Sequence, residues 1–432
     1  MQDKEIKKDS GATSYGPHHG HHSHHHSHSR KRRSKNGFVG FLRRHKKKLF
    51  AVLITLLALL VLVAAGALVD GKLFVGMHTG NGEDKSSESL RSKVELIAPI
   101  YTEDFVLVSD AARRLVTEDV TDLNAFYKKN VSDGRMDVGN PVRLSYTLSG
   151  ADAECKAESA RFEVSEHSDL RSPRVMVLNN TKNYVDFRHL KTGTQYHYRI
   201  TVTLTNDQIC RVEGSFRTAN TPRILSIGGL FNVRDFGGYK TLSGRKIKQG
   251  VLYRGTEMDG AVEEDYVITP TGVNDMLTVL KVKTDMDLRT ADVDNGIQPL
   301  GDGVKHTYYG VRMYSGCFET EGKTAVKKVF SDLADPKAYP VYMHCTYGLD
   351  RTGTVCYLLG AVLGMSEQDL QKSYELSALH IGDVNREEFS DFVKQLKTYS
   401  GDSLQKKAEN YLYSIGVTAA QIDTIRSIYL EG

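Results

Sequence analysis

The stretch from Val341 to Gly353 constrains the fold more than any other part of this 432-residue chain. A short apolar run ends at His344 and Cys345, and another apolar run begins after Gly353. This order predicts a strand, a tight loop and a helix. Such a loop turns successive backbone N–H groups toward one point at the positive end of a helix, and that point suits a phosphate.

The side chains of this loop have the chemistry needed to attack a phosphate ester. An electropositive loop favours the thiolate form of Cys345, and the thiolate is the nucleophile. Arg351 offers a planar fork for two phosphate oxygens, and Thr352 can donate a hydrogen bond to the thiolate when it leaves. The remaining residues predicted to bind the phosphate, besides Thr352, are Thr346, Tyr347, Gly348, Leu349 and Gly353.

Four motifs in the second half of the chain carry a family resemblance. The pattern His-Cys-x5-Arg-Thr-Gly at 344–353 resembles the signature of cysteine-dependent phosphatases. Its fuller form, with Thr, Gly and Asp at the intervening positions, resembles a bacterial tyrosine-phosphatase-like family that also acts on phosphoinositides. Asn-Val-Arg-Asp-Phe-Gly-Gly-Tyr at 232–239 is similar to the opening motif of that family. Leu-Tyr-Arg-Gly at 252–255 and Asp-Leu-Arg-Thr at 287–290 follow in the family's order.

The resemblance implies an α/β cysteine-phosphatase fold for residues 222–432 and a phospho-cysteine intermediate, with no metal and no cofactor. It implies that Asp350 is the general acid, because relatives with Asp before the Arg use it so. A structural salt bridge or a loop hydrogen bond is the competing interpretation of Asp350, and Asp287 is a weaker alternative acid. The family often has Lys where this chain has Leu349, which argues against a substrate with several phosphates.

Four further residues are predicted to support the loop. We expect His344 to orient it by hydrogen bonds instead of acting as a base. Asn232, Arg234 and Asp235 are predicted to brace the site, and packing of the domain's first loop is the alternative interpretation.

The N-terminal part predicts a membrane anchor. Residues 1–48 are basic and His-rich, and their low hydrophobicity predicts a disordered cytoplasmic tail, with metal binding by the His run as the alternative. Residues 49–69 contain no charged residue and are long enough to span a bilayer as a helix. The basic excess before this run places the N-terminus in the cytoplasm and the rest of the chain outside the cell. A cleaved secretory signal is the competing interpretation, and residues 70–94 predict a flexible linker.

Residues 95–221 predict a β domain. Apolar residues alternate with polar ones from Val142 to Leu148 and from Tyr196 to Leu204, as in strands with one buried face. The segment from Leu190 to Tyr196 resembles a corner of fibronectin type III domains, which implies a β sandwich. This domain is either a spacer or an adhesion or substrate-presenting module. Residues 111–130 are a candidate helical segment, and Cys155 and Cys210 either pair or remain two buried thiols.

Together these features predict a single-pass, membrane-anchored phosphatase with its catalytic domain outside a bacterial cell. The predicted substrate is phosphotyrosine, with phosphoserine or a phosphoinositide as further candidates, on a protein or lipid partner. An extracellular inositol-polyphosphate phosphatase and a non-catalytic binding or adhesion protein are the alternatives. The net charge of +4 is positive because of the basic tail, and the rest of the chain is mildly acidic. No nucleic-acid partner is therefore predicted.

Overall fold

The computed structural model describes residues 94–150, 155–179 and 182–432. The described residues belong to one compact unit. The predicted tail at 1–48, the anchor at 49–69 and nearly all of the linker at 70–94 lie outside the described residues. Within the described ranges, no helix is both long and apolar enough to cross a bilayer.

The first part of the described chain is mainly β-structure, as the alternating pattern predicts. Its largest sheet has four antiparallel strands in the order β5-β4-β7-β8, and the pairs β2-β6 and β1-β3 form two smaller antiparallel sheets. The strands are β1 (Glu95–Ile97), β2 (Val142–Ser145), β3 (Thr147–Ser149), β4 (Ala157–Ser165), β5 (Arg174–Leu178), β6 (Tyr184–Phe187), β7 (Gln195–Leu204) and β8 (Ile209–Arg217).

Strand β7 shows why these residues form a sheet. Every second side chain from Tyr196 to Leu204 is buried, and the intervening side chains are partly exposed. This period of two matches the alternation of side chains across a strand, so one face of β7 packs into the core. Cys155 and Cys210 are both buried beside this core, and burial together with the nearby Cys155 raises the pKa of the Cys210 thiol.

Two helices interrupt the β-structure where the sequence predicts a helical segment. Helix α1 (Asp110–Thr117) begins after Ser109, and helix α2 (Leu123–Asn130) begins after Asp122; each capping side chain accepts a hydrogen bond from the first turn. Their buried residues, including Leu115, join the hydrophobic core of the C-terminal half and not the core of the β sheets. This segment therefore packs with the predicted catalytic half.

A five-stranded sheet organises the C-terminal half, in the order β12-β11-β13-β10-β9. Strands β10 to β13 run parallel to one another, and β9 is antiparallel to β10. All residues of β10, β11 and β13 are buried, as expected for parallel strands covered on both faces. The strands are β9 (Arg234–Asp235), β10 (Leu252–Gly255), β11 (Thr284–Asp287), β12 (Lys305–Tyr308) and β13 (Val341–His344).

Helices cover this sheet and complete the predicted α/β architecture. Predicted starts are confirmed at two of them, where Thr269 caps α3 and Ser366 caps α6. Helix α4 begins at Thr320, before the predicted start near Thr324. The helices are α3 (Pro270–Asn274), α4 (Thr320–Leu333), α5 (Asp350–Leu363), α6 (Glu367–Glu375), α7 (Ala378–Ile381), α8 (Arg386–Leu396), α9 (Leu404–Ser414) and α10 (Ala419–Tyr429).

Candidate active site

The loop between β13 and α5 has the strand, loop and helix order that the sequence predicts. Cys345 follows the last residue of the central strand, and Asp350 opens the helix. Between them Gly348 has φ +65°, and a Cβ there would lie 2.3 Å from the Gly255 carbonyl oxygen. Glycine is therefore required at this turn, both for its backbone conformation and for the close approach of β10.

Three successive carbonyl groups of this loop are tied to the surrounding protein. The Thr346 carbonyl accepts from the Glu257 backbone N–H at 3.0 Å. The Tyr347 carbonyl accepts from the Asn232 amide at 3.0 Å, and the Gly348 carbonyl accepts from the Arg254 guanidinium at 2.6 Å.

The backbone N–H groups of this loop have no such partners. Those of residues 346–351 donate to none of the residues that the structure describes. Unpaired N–H groups at the start of a helix form an anion site, because their partial positive charges add to that of the helix end.

The residues of the 232–239 motif lie where the sequence predicts support. Besides bonding the loop, Asn232 accepts a side-chain hydrogen bond from the Arg234 guanidinium. Arg234 also donates to the Ser373 carbonyl at 2.9 Å. Asp235 accepts from Arg223 at 2.7 Å and from the Gly250 backbone N–H at 2.7 Å. Asn232 thus bonds the phosphate loop directly, Arg234 bonds Asn232, and Asp235 joins the neighbouring segments.

His344 is buried behind the nucleophile and forms an ion pair. Its Nε2 lies 2.9 Å from Asp285 Oδ1, and its Nδ1 lies 3.4 Å from the Cys345 carbonyl oxygen. Burial lowers the pKa of His344, but the carboxylates of Asp287 and Asp285 outweigh burial and raise this pKa to about 9. His344 therefore carries a positive charge at neutral pH.

Asp285 links His344 to a second histidine. Its other carboxylate oxygen lies 2.8 Å from His306 Nδ1. Burial raises the pKa of Asp285, but the two histidines outweigh it and lower this pKa to about 2. The carboxylate therefore holds the ring of His344 in place from the side opposite Cys345.

Asp287, the weaker candidate for the general acid, is fully buried and already bonded. Both of its oxygens accept hydrogen bonds from the Arg289 guanidinium, at 2.6 to 3.0 Å. Arg289 also contacts Glu257 and Asp259. One guanidinium thus bonds three carboxylates, and both oxygens of Asp287 are occupied as acceptors of its hydrogen bonds.

The predicted reacting groups differ in how far they are exposed. Cys345 is 1% exposed, whereas Arg351 and Asp350 are half-buried. Among the described residues, none forms a hydrogen bond or ion pair with the Arg351 guanidinium. The Thr352 hydroxyl is fully buried and likewise has no partner in the described part of the chain. Both groups are available to a phosphoryl group or a thiolate.

Asp350 has one strong partner that the sequence did not suggest. The Tyr314 hydroxyl donates a hydrogen bond to Asp350 Oδ1. Tyr347 also has an acidic partner: its hydroxyl contacts Glu263, and its ring meets Tyr266 edge-on at 6.0 Å. The contact with Glu263, followed by burial, raises the pKa of Tyr347 to about 12.

Sequence reasoning missed three residues that contact this loop or its neighbours: Arg254, Asp285 and Tyr314. Arg254 lies in a recognised motif, and that motif was the available signal. Asp285 and Tyr314 carry no local signal, because their contacts depend on how β11 and the segment before α4 pack. Within the described residues, no group of three His, Cys, Asp or Glu side chains is placed to hold a metal ion.

The C-terminal half of the chain is similar to a known protein family. Residues 225–431 match the model of the tyrosine phosphatase family. This confirms a phosphatase-like α/β domain, and the match does not extend into the preceding β-structure. No curated protein matches the chain.

Two solved structures show limited similarity. One is the core catalytic domain of the PP-IP phosphatase SIW14 from S. cerevisiae in complex with citrate, 18% identical over 38% of this chain and 93% of that chain, with a TM-score of 0.26. The other is a Siw14 catalytic core, 16% identical over 37% of this chain and 88% of that chain, with a TM-score of 0.27. These values are too low to assign a substrate.

Proposed function

We propose that this protein is a cysteine-dependent phosphatase that hydrolyses phosphotyrosine. The proposal rests on the loop at 346–351. Three of its carbonyl groups accept hydrogen bonds from the surrounding protein, whereas its N–H groups donate to none of the described residues. Cys345 stands at one end of this loop and Arg351 near the other. The arrangement fits the three equatorial oxygens of a phosphoryl group, with a sulfur nucleophile below them.

The first step transfers the phosphoryl group to Cys345. The thiolate attacks phosphorus in line, the S–P bond forms, and the P–O bond to the leaving group breaks. Asp350 gives its proton to the departing oxygen. The unpaired N–H groups and Arg351 stabilise the charge that spreads over the equatorial oxygens.

The second step hydrolyses the phospho-cysteine. The Asp350 carboxylate takes a proton from a water molecule as the water oxygen attacks phosphorus. The S–P bond breaks, and the thiolate accepts a hydrogen bond from the Thr352 hydroxyl. Inorganic phosphate leaves, and Cys345 and Asp350 return to their starting protonation states.

Two observations support an aryl monophosphate as the substrate. The thiol of Cys345 is almost completely buried, and a phosphotyrosine reaches farther into a recessed site than a phosphoserine does. Leu349 stands at the position where the family often has a Lys that binds extra phosphates, and the Tyr347 hydroxyl contacts the carboxylate of Glu263. A substrate with several phosphates would be repelled by this carboxylate and would find no extra cation at position 349.

Phosphate release by the purified full-length chain tests the proposal. A phosphotyrosine peptide, a phosphoserine peptide, phosphoinositides and inositol hexakisphosphate are compared, with Cys345→Ser as the control. We expect the phosphotyrosine peptide to give the highest kcat/KM, with activity lost in Cys345→Ser. Faster release from an inositol phosphate would overturn the proposed substrate. No release from any of them by reduced protein would overturn the enzymatic function.

We also propose that residues 49–69 anchor the protein in a membrane and that the β-structure within residues 95–221 forms a fibronectin type III-like spacer. The uncharged run and the basic residues before it support the anchor. Extraction of cell membranes with alkaline carbonate tests it, followed by protease treatment of intact cells. Release of the full-length chain by carbonate would argue against the anchor, and protection of the catalytic half in intact cells would argue against an outside location.

A further inference from the structure

Tyr314 is connected to Asp350 through its side chain and through its backbone. Its hydroxyl donates to Asp350 Oδ1. Its backbone N–H donates to Thr354 Oγ1 at 2.9 Å, and that hydroxyl donates to the Asp350 carbonyl at 2.8 Å. The segment before α4 and the first turn of α5 are thus joined through both side chains and backbone.

The backbone of Tyr314 is in an unfavourable conformation. Its φ is +50°, in the left-handed region that non-glycine residues seldom adopt. The side chain is 3% exposed, so the ring is enclosed by the core. Left-handed backbone in a bulky residue persists where surrounding contacts enforce it, and such residues cluster at functional sites.

A second tyrosine, Tyr374, holds the Tyr314 hydroxyl in place. The Tyr374 hydroxyl lies 2.7 Å from the Tyr314 hydroxyl. Because Tyr314 gives its own proton to Asp350, its oxygen can only accept from Tyr374, whose hydroxyl lies farther, at 3.3 Å, from its other acceptor, the Asn385 carbonyl. The Tyr374 ring stacks on Phe389 with the ring centroids 3.7 Å apart, so it is held firmly. A chain of hydrogen bonds therefore runs from a stacked aromatic pair to the carboxylate of Asp350.

We propose that Tyr314 is a positioning residue that orients Asp350 for proton transfer to the leaving group. This inference rests on the proposed function, because it concerns the general acid of that reaction. With Oδ1 occupied as an acceptor, the transferable proton resides on Oδ2, which is left for the substrate. Hydroxyl donation to Oδ1 also restrains the orientation of the carboxyl plane.

Leaving-group dependence in the full-length protein tests this role. Tyr314→Phe keeps the ring and the backbone N–H and removes only the hydroxyl. 4-Nitrophenyl phosphate has a leaving group that departs without a proton, whereas phenyl phosphate needs one. We expect kcat/KM to fall about ten-fold on phenyl phosphate, within the contribution of general acid catalysis, and less than about two-fold on 4-nitrophenyl phosphate.

A double-mutant comparison provides a second readout. In an Asp350→Asn background, Tyr314→Phe is expected to cause no further loss, since the group that it orients is gone. Tyr309→Phe is the matched control, because that buried tyrosine donates to the Asp332 carboxylate at 2.6 Å, away from the loop.

Three results separate the possible failures. Equal losses of Tyr314→Phe on both substrates, or a further loss in the Asp350→Asn background, would indicate a structural role and overturn the inference. An unchanged kcat/KM on phenyl phosphate would overturn it as well. If the wild-type protein cleaves neither substrate, the proposed function itself fails. Should Tyr314→Phe fold poorly, Tyr374→Phe removes the next hydrogen bond, and a smaller loss confined to phenyl phosphate is expected.

Discussion

The Arg254 guanidinium donates a 2.6 Å hydrogen bond to the Gly348 carbonyl oxygen from inside the domain. Arg254 is 1% exposed, so it supports the loop from behind and cannot reach a substrate. We expect Arg254→Met to leave the carbonyl unpaired and to let the loop shift. A shift of about 1 Å lowers kcat/KM about a hundred-fold, and the lost bond lowers the free energy of unfolding by about 1–3 kcal/mol.

Steady-state kinetics and urea unfolding of the same preparations check this prediction. Arg245→Met is the matched control, because that exposed arginine bonds the Glu431 carbonyl at 3.0 Å, far from the loop in sequence. Equal kinetics in the two variants would show that Arg254 does not support the loop.

Gly348 tests whether close packing or backbone conformation matters more at the loop. Gly348→Ala combines a positive φ with a Cβ 2.3 Å from the Gly255 carbonyl oxygen. Gly244→Ala has a similar φ of +85°, but its Cβ meets nothing within 4 Å. We expect Gly244→Ala to cost about 1 kcal/mol with normal activity, and Gly348→Ala to lose at least about a hundred-fold in kcat/KM. If Gly348→Ala and Gly244→Ala are both thermally stable and have similar kcat/KM values, the steric argument is wrong.

The ion pair of His344 with Asp285 predicts a pH-dependent stability. The pKa of His344 is raised to about 9 from the usual 6.5. Its stabilisation is therefore complete below about pH 6.5 and is lost as the pH rises through about 9. His306 contributes in the same direction, because its hydrogen bond to Asp285 raises its pKa. The loss from His344 alone is about 3 kcal/mol, since each pKa unit is worth about 1.4 kcal/mol.

Urea unfolding at about pH 6 and about pH 9.5 measures this effect. Both measurements use the Cys345→Ser background, in which the neighbouring thiol is absent. Asp285→Asn removes the carboxylate that both histidines share, so the fall in unfolding free energy with pH should shrink. An identical fall with and without Asp285 would show that the ion pair does not control the stability.

Much of the site could be predicted from the sequence because its parts are local. Strand β13, the loop and helix α5 are contiguous, and their order follows from apolar runs, glycines and the cap position. The contact of Asn232 with the loop was also expected, since the motif at 232–239 suggested a brace.

The remaining contacts depend on tertiary packing. Asp285 lies on β11 and reaches His344 only because β11 and β13 are neighbours in the sheet. Tyr314 reaches Asp350 from a segment whose sequence has no helical or strand period. Helices α1 and α2 were predicted as helical, but their packing on the C-terminal core could not be inferred, because an apolar face does not specify its partner.

Thr352 tests the second chemical step separately from the first. Its hydroxyl is buried and has no partner among the described residues, so Thr352→Val removes a polar atom without breaking a hydrogen bond seen in the fold. Because the hydroxyl is proposed to stabilise the departing thiolate, its loss slows hydrolysis of the phospho-cysteine more than its formation. We expect kcat to fall about ten-fold, with kcat/KM nearly unchanged and a burst of the first product in rapid-mixing experiments. The wild-type protein and Cys345→Ser are the two controls, since Cys345→Ser forms no phospho-cysteine intermediate. A parallel fall of kcat and kcat/KM, without a burst, would place Thr352 in the first step instead.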